Sequence, residues 1–304
     1  MSTEPRQEDS DWTIARLLSW TCDYLTRHDV DDPRLAGEVL LAHATRRRRI
    51  ELYARPEHVP PREDLARFRD LVAQAAGHEP IAYLVGAKEF FSLSFKVTRD
   101  VLVPRPETEL LVEKVIDYCR GLDRRALRLL DLGTGSGCVA IAALVHVPDA
   151  TVVATDISVA ALKVAQANAE RHGVAERIAL CAADALALPQ TVVPDSGFDV
   201  LMSNPPYVAA DAMDHLPPAV RRGEPRLALT DEKDGLSFYR GIATNGPALL
   251  SSQGVVFVEI GDGQAQAARD ALEEPGMLRC QRTWKDSVTG QPRVLMLTQA
   301  GPGD

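Results

Sequence analysis

Asn204-Pro205-Pro206-Tyr207 is the part of the chain whose residue types say most about chemistry. Two successive prolines fix φ and remove two backbone donors. The carbonyls of Asn204 and Pro205 are left to face a pocket, with the Asn204 side-chain oxygen beside them. Such a cluster of acceptors suits a planar NH2 group. Holding both hydrogens aims the nitrogen lone pair along the one remaining direction. It also pushes density back onto an amide nitrogen, which is otherwise a poor nucleophile. Tyr207 offers a face on which a planar group can stack. No strong general base stands in the tetrapeptide, so proton loss is expected to follow bond formation and to go to water.

A second cluster lies upstream. Gly133, Thr134, Gly135, Ser136 and Gly137 follow the apolar run Leu129-Leu130-Asp131-Leu132. Glycines there let the backbone turn sharply and approach a ligand closely. The spacing is GxGxG, not the GxGxxG of dinucleotide binders. Asp156 stands 19 residues past Gly137, at the end of the next apolar run. A carboxylate at that place can accept from both hydroxyls of a ribose. Asp184, followed by Ala185, closes a third run, where a carboxylate can accept from an adenine amine. Alone, Asp156 would read as a helix cap and Asp184 as a turn residue. Together, on three successive strand ends, these residues resemble the S-adenosylmethionine site of the seven-stranded methyltransferases. A nicotinamide site fits less well, because the third glycine comes one residue early and no substrate domain follows.

The elements that must carry these residues are legible from periodicity. Strands are expected at 127–132, 151–156, 177–181, 198–203, 254–260, 278–284 and 292–298, with helices at 107–120, 138–146, 158–172, 235–250 and 263–273. Alternation of this kind means a mainly parallel sheet covered by helices on both faces. The last two strands have no helix between them, which predicts an antiparallel edge. Residues 208–232, rich in Asp, Pro and Arg, read as a long structureless loop of the sort that is more often functional than idle. The first 80 or so residues read as three short helices. Asp32 and Pro33 look like an N-cap and the first helical position, and Gly77 is placed to end the third helix. Residues 86–103 alternate apolar and polar with Phe90, Phe91 and Phe95, the pattern of a hairpin joining two domains.

Further segments narrow the resemblance. Glu79-Pro80-Ile81-Ala82-Tyr83-Leu84 with Gly86, Glu89-Phe90-Phe91-Ser92-Leu93 and Val103-Pro104-Arg105-Pro106-Glu107-Thr108-Glu109 resemble the release factor glutamine methyltransferases, the PrmC/HemK family. So do Glu224-Pro225-Arg226-Leu227-Ala228-Leu229, Asp234-Gly235-Leu236, Val258-Glu259-Ile260-Gly261 and the Asn204–Tyr207 segment itself. The resemblance runs from about residue 12 to about 298. It implies an α/β fold: a seven-stranded Rossmann-like S-adenosylmethionine-dependent methyltransferase domain over 105–304, a β-hairpin linker over 86–104, and an N-terminal helical substrate-recognition bundle over 1–85. It implies S-adenosylmethionine as methyl donor and no metal. The implied substrate is the glutamine amide in the Gly-Gly-Gln motif of peptide chain release factors, and the product N5-methylglutamine. Asn204 and Pro205 would grip that amide, with Pro206 beside them and Tyr207 packed on it. Gly133–Gly137, Asp156, Asp184, Ala185 and the Asn204 backbone would line the cofactor site, and Arg105 and Glu107 would lie in a segment covering the pocket. One departure is that Gly223 stands where the family often carries a bulky aromatic before the Glu-Pro pair.

Composition bounds the alternatives. The 43 acidic and 34 basic residues among 304 give a formal net charge of −9. A chain so acidic lacks the cationic surface that releases phosphate counterions. That argues against the main alternative, an adenine exocyclic-amine methyltransferase acting on DNA or RNA, and direct sequence-specific nucleic-acid binding is not expected. The run Arg46–Arg49 is the local exception, and reads as a solvated helix end whose cations favour the C-terminal dipole. A non-catalytic adaptor would show a damaged site, whereas the glycines, Asp156 and Asn204–Tyr207 are all present. The longest clean apolar stretch, Cys138–Val145, is far short of a membrane span. Five widely spaced cysteines without a CxxC pair read as reduced thiols, which together with the absence of a leader pattern predicts a cytoplasmic protein. Nothing in the sequence demands more than a monomer.

Overall fold

The computed structural model describes residues 12–123, 126–184, 188 and 192–301. They divide into two compact units. The smaller comprises the described residues up to Gly86 together with Pro218–Gly223; the larger comprises Ala87–Pro217 and the described residues from Glu224 onward.

The smaller unit is helical: α1 (Ile14–Thr26), α2 (Pro33–Thr45), α3 (Arg49–Ala54), α4 (Arg62–Ala76) and α5 (Ile81–Val85), with α9 (Pro218–Gly223) contributed from far along the chain. Two more helices thus precede Gly86 than the apolar periodicity predicts. The missed ones, α3 and α5, span one turn or so, too short for a repeating stripe. Thr13 caps α1 by accepting from the Arg16 backbone N–H. Ile14, Leu17 and Leu25 of α1 close against Leu40, Leu41, Leu52, Phe68 and Val72, all buried. Asp32 does sit at the N-cap of α2, but in the left-handed region (φ 44°) and without a side-chain cap bond. Gly77 ends α4 with φ −82°, and His78 takes the left-handed turn (φ 65°). The arginine run divides. Arg46 caps the C-terminus of α2, while Arg49 opens α3 and donates to the buried Glu38 carboxylate at 2.8 Å. The run thus spans the C-terminus of α2 and the start of α3. Glu38 also accepts from Arg34 and Tyr53, so it is a paired buried charge and its carboxyl stays below the usual range despite desolvation.

The larger unit begins with a hairpin, β1 (Ala87–Phe90) and β2 (Leu93–Lys96). Its two turn residues, Phe91 and Ser92, both have positive φ (49° and 60°), the conformation that matches strand twist in a two-residue hairpin but favours Gly and Asn. The Phe91 N–H donates to Glu109 at 2.8 Å, and the Phe91 ring stands edge-on to His146. Phe90 and Phe95 are buried in the larger unit's core. The segment expected as a connector is thus built into the sheet domain.

α6 (Thr108–Gly121), β3 (Arg128–Leu132), α7 (Cys138–His146), β4 (Thr151–Asp156), α8 (Val159–Arg171), β5 (Ile178–Ala182), β6 (Phe198–Ser203), α10 (Ser237–Leu249), β7 (Leu250–Glu259), α11 (Ala265–Glu273), β8 (Leu278–Lys285) and β9 (Pro292–Gln299) follow. The strand order is β5-β4-β3-β6-β7-β9-β8. β3 through β7 are parallel, and β9 runs antiparallel to both neighbours. The antiparallel strand is therefore β9, one in from the edge, because β8 lies outside it. Burial of β6 along its whole length fits a central parallel strand covered on both faces. The chain leaves β3 in one direction through β4 and β5, then returns to its other side with β6. That reversal is where ligands of such sheets bind, beyond the carboxyl ends of the strands.

Residues 208–232 are ordered, contrary to the expectation of a structureless loop. They contain short 3-10 helices at Ala210–His215 and Arg226–Ala228, the helix α9, and a bridge between Val208 and Thr230. A bidentate Arg226–Glu232 pair closes the last part. Sequence periodicity is silent about such pieces because each is too short to repeat an apolar stripe.

Candidate active site

Register brings the predicted residues to one edge. Leu132 pairs with Thr155 on one side and with Ser203 on the other, and Ser203 pairs with Val258. Gly133, Asp156, Asn204 and Glu259 therefore follow one another across the carboxyl ends of β3, β4, β6 and β7.

The glycine loop is built of main chain. Gly133, Gly135 and Gly137 have φ of 73°, 55° and 80°. A Cβ at Gly133 or Gly135 would face open space, whereas one at Gly137 would lie 2.9 Å from Ile141 Cδ1 and 3.2 Å from Ala165 Cβ. The Gly133 and Thr134 N–H groups donate to the Thr155 carbonyl at 2.9 and 2.8 Å. Asp156 accepts from the Gly135 N–H at 2.9 Å through one oxygen and from the Ser158 N–H at 2.8 Å through the other. Each oxygen keeps a second lone pair. Ser158 caps α8 with its own hydroxyl, so Asp156 is not needed there. Thr134 and Ser136 are buried. The open space before two glycines and the spare acceptors on Asp156 fit a ribose-bearing cofactor. Asp184 is exposed and lies two residues beyond the end of β5. Ala185 falls outside the described residues. Asp131, within the same sequence run, was not singled out; it is buried, accepts from Thr134 Oγ1 at 2.7 Å, and burial pushes its carboxyl up to about 7.

The acceptor-rich end is built of side chains. Asn204 Nδ2 donates to Thr108 Oγ1 at 3.0 Å, so the amide nitrogen faces Thr108 and Oδ1 faces the opposite way. Pro205 is buried, and Pro206 and Tyr207 are partly buried. The Tyr207 hydroxyl donates to Glu259 Oε1 at 3.3 Å, and its carbonyl accepts from Gln264 Nε2 at 2.8 Å. A Cβ at Gly261 would lie 3.0 Å from Tyr207 Cδ2, so that glycine makes room for the ring. Burial, with Glu259 beside it, holds the phenol far above the usual tyrosine range.

Glu259 is the principal residue that sequence reasoning missed. It is 1% exposed and ends β7 inside the Val258–Gly261 segment. Burial pushes its carboxyl up to about 7 and the Glu107 charge adds to this, while the Thr108 and Tyr207 hydroxyls and the Arg293 guanidinium pull the other way. Arg293 is itself buried, donating to the Ile260 carbonyl at 3.0 Å and to Asp262. The signal available in the sequence was a glutamate at the end of an apolar strand, Val255-Val256-Phe257-Val258-Glu259, where burial of a carboxylate demands partners.

Arg105 and Glu107 separate. Arg105 donates to Glu224 Oε1 at 2.5 Å, and the other Glu224 oxygen accepts from the Val103 N–H at 3.1 Å. Glu224 is buried, so this pair pins the 103–105 segment to the start of the Glu224–Leu229 segment. Glu107 stands at the N-cap of α6 without a side-chain cap bond.

A family model described as the PrmC N-terminal domain matches residues 16–86, and one described as a methyltransferase domain matches residues 123–233. The release factor glutamine methyltransferase of Rhodopirellula baltica is 39% identical over 294 residues, covering 96% of this chain and 98% of that one. That of Bordetella pertussis is 43% identical over 247 residues, covering 81% and 88%. A crystal structure of a methyltransferase from Pyrococcus furiosus shares the fold, with a TM-score of 0.51 at 19% identity over 75% of this chain and 97% of that one. Among the described residues no helix is long and apolar enough to cross a membrane. With matched relatives along nearly its whole length, on the strand order and glycine loop of a methyltransferase, the chain belongs to the release factor glutamine methyltransferase family.

Proposed function

We propose that this protein methylates the side-chain amide nitrogen of the glutamine in the Gly-Gly-Gln motif of peptide chain release factors, giving N5-methylglutamine and S-adenosylhomocysteine. The observation that carries this reading is the Asn204 amide, one strand from the glycine loop, with its nitrogen spent on Thr108 and its oxygen turned the other way. S-adenosylmethionine, when bound, supplies a methyl group on a sulfonium, which is its own leaving group. Gly133–Gly137 and Asp156 would hold it, with Asp184, Ala185 and the Asn204 backbone completing the adenosine end and no metal taking part.

The protein's share is orientation and exclusion of water. Asn204 Oδ1 and the Pro205 carbonyl accept the two amide hydrogens of the substrate glutamine. That grip favours pyramidal nitrogen and points its lone pair at the methyl carbon. Tyr207 packs on the amide plane, and Pro206 and Glu107 wall the pocket. With the donor bound, its carbon–sulfur bond would break as the nitrogen–carbon bond forms, and the extra proton on nitrogen would pass to water. Arg105 acts at one remove, by fixing the segment that precedes α6. The helical unit recognises the release factor, and the enzyme works as a monomer in the cytoplasm, where translation terminates.

The test is labelled methyl transfer. Purified protein, labelled S-adenosylmethionine and a release factor are incubated beside a Gln→Ala variant of the factor's Gly-Gly-Gln motif and adenine-containing DNA. Label on the wild-type factor alone is expected. Label on DNA alone would overturn the reading in favour of an adenine amine.

A further inference from the structure

We infer that Gln264 is a positioning residue for the acceptor pocket: its side-chain amide holds the Tyr207 carbonyl and so fixes where the Tyr207 ring stands. The consequence for turnover rests on the glutamine reading above; the contact itself does not.

Gln264 occupies the N-cap position of α11 yet makes no side-chain cap bond to that helix. A polar side chain there ordinarily accepts from a backbone N–H of the first turn. Gln264 instead turns its amide to another element: Nε2 donates to the Tyr207 carbonyl at 2.8 Å. That carbonyl and the Val208 N–H belong to one peptide plane, and the N–H donates to the Leu229 carbonyl at 2.9 Å. The plane after Tyr207 is thus held at both of its polar ends. Pro205 and Pro206 restrict φ on the other side. Between these restraints the direction of the Tyr207 Cα–Cβ bond is set, and the hydroxyl bond to Glu259 at 3.3 Å holds the far end of the ring. Two glycines keep the clearance. A Cβ on Gly261 would lie 2.6 Å from Gln264 Oε1 and 3.0 Å from Tyr207 Cδ2, and one on Gly235 would overlap the Tyr207 carbonyl oxygen. Gln264 Oε1 is buried and has no hydrogen-bond partner among the described residues. Reversing the amide would set that oxygen against the Tyr207 carbonyl, acceptor against acceptor, so the carbonyl fixes which way the amide stands. A buried acceptor without a partner opposes folding. The amide therefore gives up fold stability at one atom and, with the other, fixes one residue of the pocket.

The sequence itself offers a probe of this contact. Tyr207-Val208 is the only Tyr-Val pair in the chain. Protein with isotope-labelled carbon at the tyrosine carbonyls and labelled nitrogen at the valine amides therefore gives a single carbonyl–amide cross-peak in its nuclear magnetic resonance spectrum, from that peptide alone. Gln264→Met keeps the length of the side chain and removes the donor. Gln264→Ala removes the donor without crowding and has no cap bond to lose. In both variants the carbonyl resonance should move upfield. In both, kcat for labelled methyl transfer to the release factor should fall roughly three- to tenfold, as for one neutral hydrogen bond, with S-adenosylmethionine affinity changed less than about twofold. The melting temperature of Gln264→Met should stay within about 3 °C of wild type, because the unpaired oxygen leaves together with the donor. A structural role alone would instead lower kcat, cofactor affinity and melting temperature together in both variants, and would overturn the inference. An unmoved cross-peak overturns it whatever the protein methylates. A moved cross-peak with unchanged kcat, in an enzyme that does label the release factor, overturns it and leaves the glutamine reading standing. Label on DNA alone overturns the glutamine reading, while the cross-peak still decides whether Gln264 holds Tyr207.

Discussion

The two ends of the site reach the same sheet edge by opposite means. At the carboxyl end of β3 the site is built mainly of backbone: three positive-φ glycines and a pair of N–H groups bound to the Thr155 carbonyl, tied down by Asp156, Asp131 and Asn168. At the ends of β6 and β7 it is built of side chains: Asn204 bonded to Thr108, and Tyr207 bonded to Glu259, all largely desolvated. A backbone cradle binds whatever presents the right hydroxyls and amines. A side-chain relay discriminates, because every donor must find its acceptor in a low-dielectric setting where an unpaired group costs about 1–3 kcal/mol. On the reading proposed above, cofactor binding and amide recognition would have separate physical bases at the ends of adjacent strands.

That contrast makes unequal demands on substitutions. The largest effect is expected for Asn204→Ala, which removes the pocket's side-chain acceptor: kcat should fall by roughly 10²–10³, in the range seen when one transition-state hydrogen-bond group is lost, while cofactor affinity measured by calorimetry stays within a few-fold. Near-wild-type turnover in that variant would refute the amide grip. Asp156→Ala should do the converse. Losing the acceptor for Gly135 and Ser158, and for a ribose, should weaken cofactor binding by about tenfold or more, as expected for a charge-assisted bond of about 1.5–3 kcal/mol, with kcat at saturating cofactor little changed. Equal damage to both constants would mean that the two ends are not separable. Tyr207→Phe keeps the ring and drops one bond to Glu259, so a smaller loss, less than about tenfold, is expected in single-turnover rate. A larger loss would show that the hydroxyl itself, not only the ring, touches the chemistry.

The smallest effect is on pH. Glu259 and Asp131 both have carboxyls raised to about 7 in the folded chain, chiefly by burial, against ordinary values of 4.5 and 3.8. A raised carboxyl favours the folded state most fully below its unfolded pKa, and that contribution is lost as pH climbs through the folded value. The melting temperature should therefore decline between about pH 5 and pH 8. Glu259→Gln should flatten part of that decline, and an identical slope in the variant would show that Glu259 does not carry it.

Much of this was readable from the chain. The seven strands lie within a few residues of their predicted spans because continuous apolar runs and glycine turns mark buried parallel strands strongly. The glycine loop, Asp156 and the Asn204–Tyr207 segment were visible as motifs. Three things were not. Glu259 was hidden because a glutamate at a strand end looks solvated until register places it beside Tyr207. Thr108 and Arg105 belong to one legible segment, yet their partners, Asn204 and Glu224, lie about a hundred residues away, and no local pattern encodes such a pairing. The order within 208–232 was missed because its helices and its single bridge are too short for any periodicity to mark.

Gly223 and Glu224 are neighbours in sequence but belong to different compact units. A Cβ on Gly223 would lie 2.6 Å from the Pro80 ring, while Glu224 holds Val103 and Arg105. The helical unit is therefore not a detachable cassette. Its last piece is written inside the coding sequence of the sheet domain, so neither recombination at a single boundary nor a proteolytic cut after Gly86 would release it whole. Any lineage that exchanged the first 86 residues for another helical bundle would also have had to rewrite a hexapeptide more than a hundred residues downstream. The two units are bound to evolve as a pair.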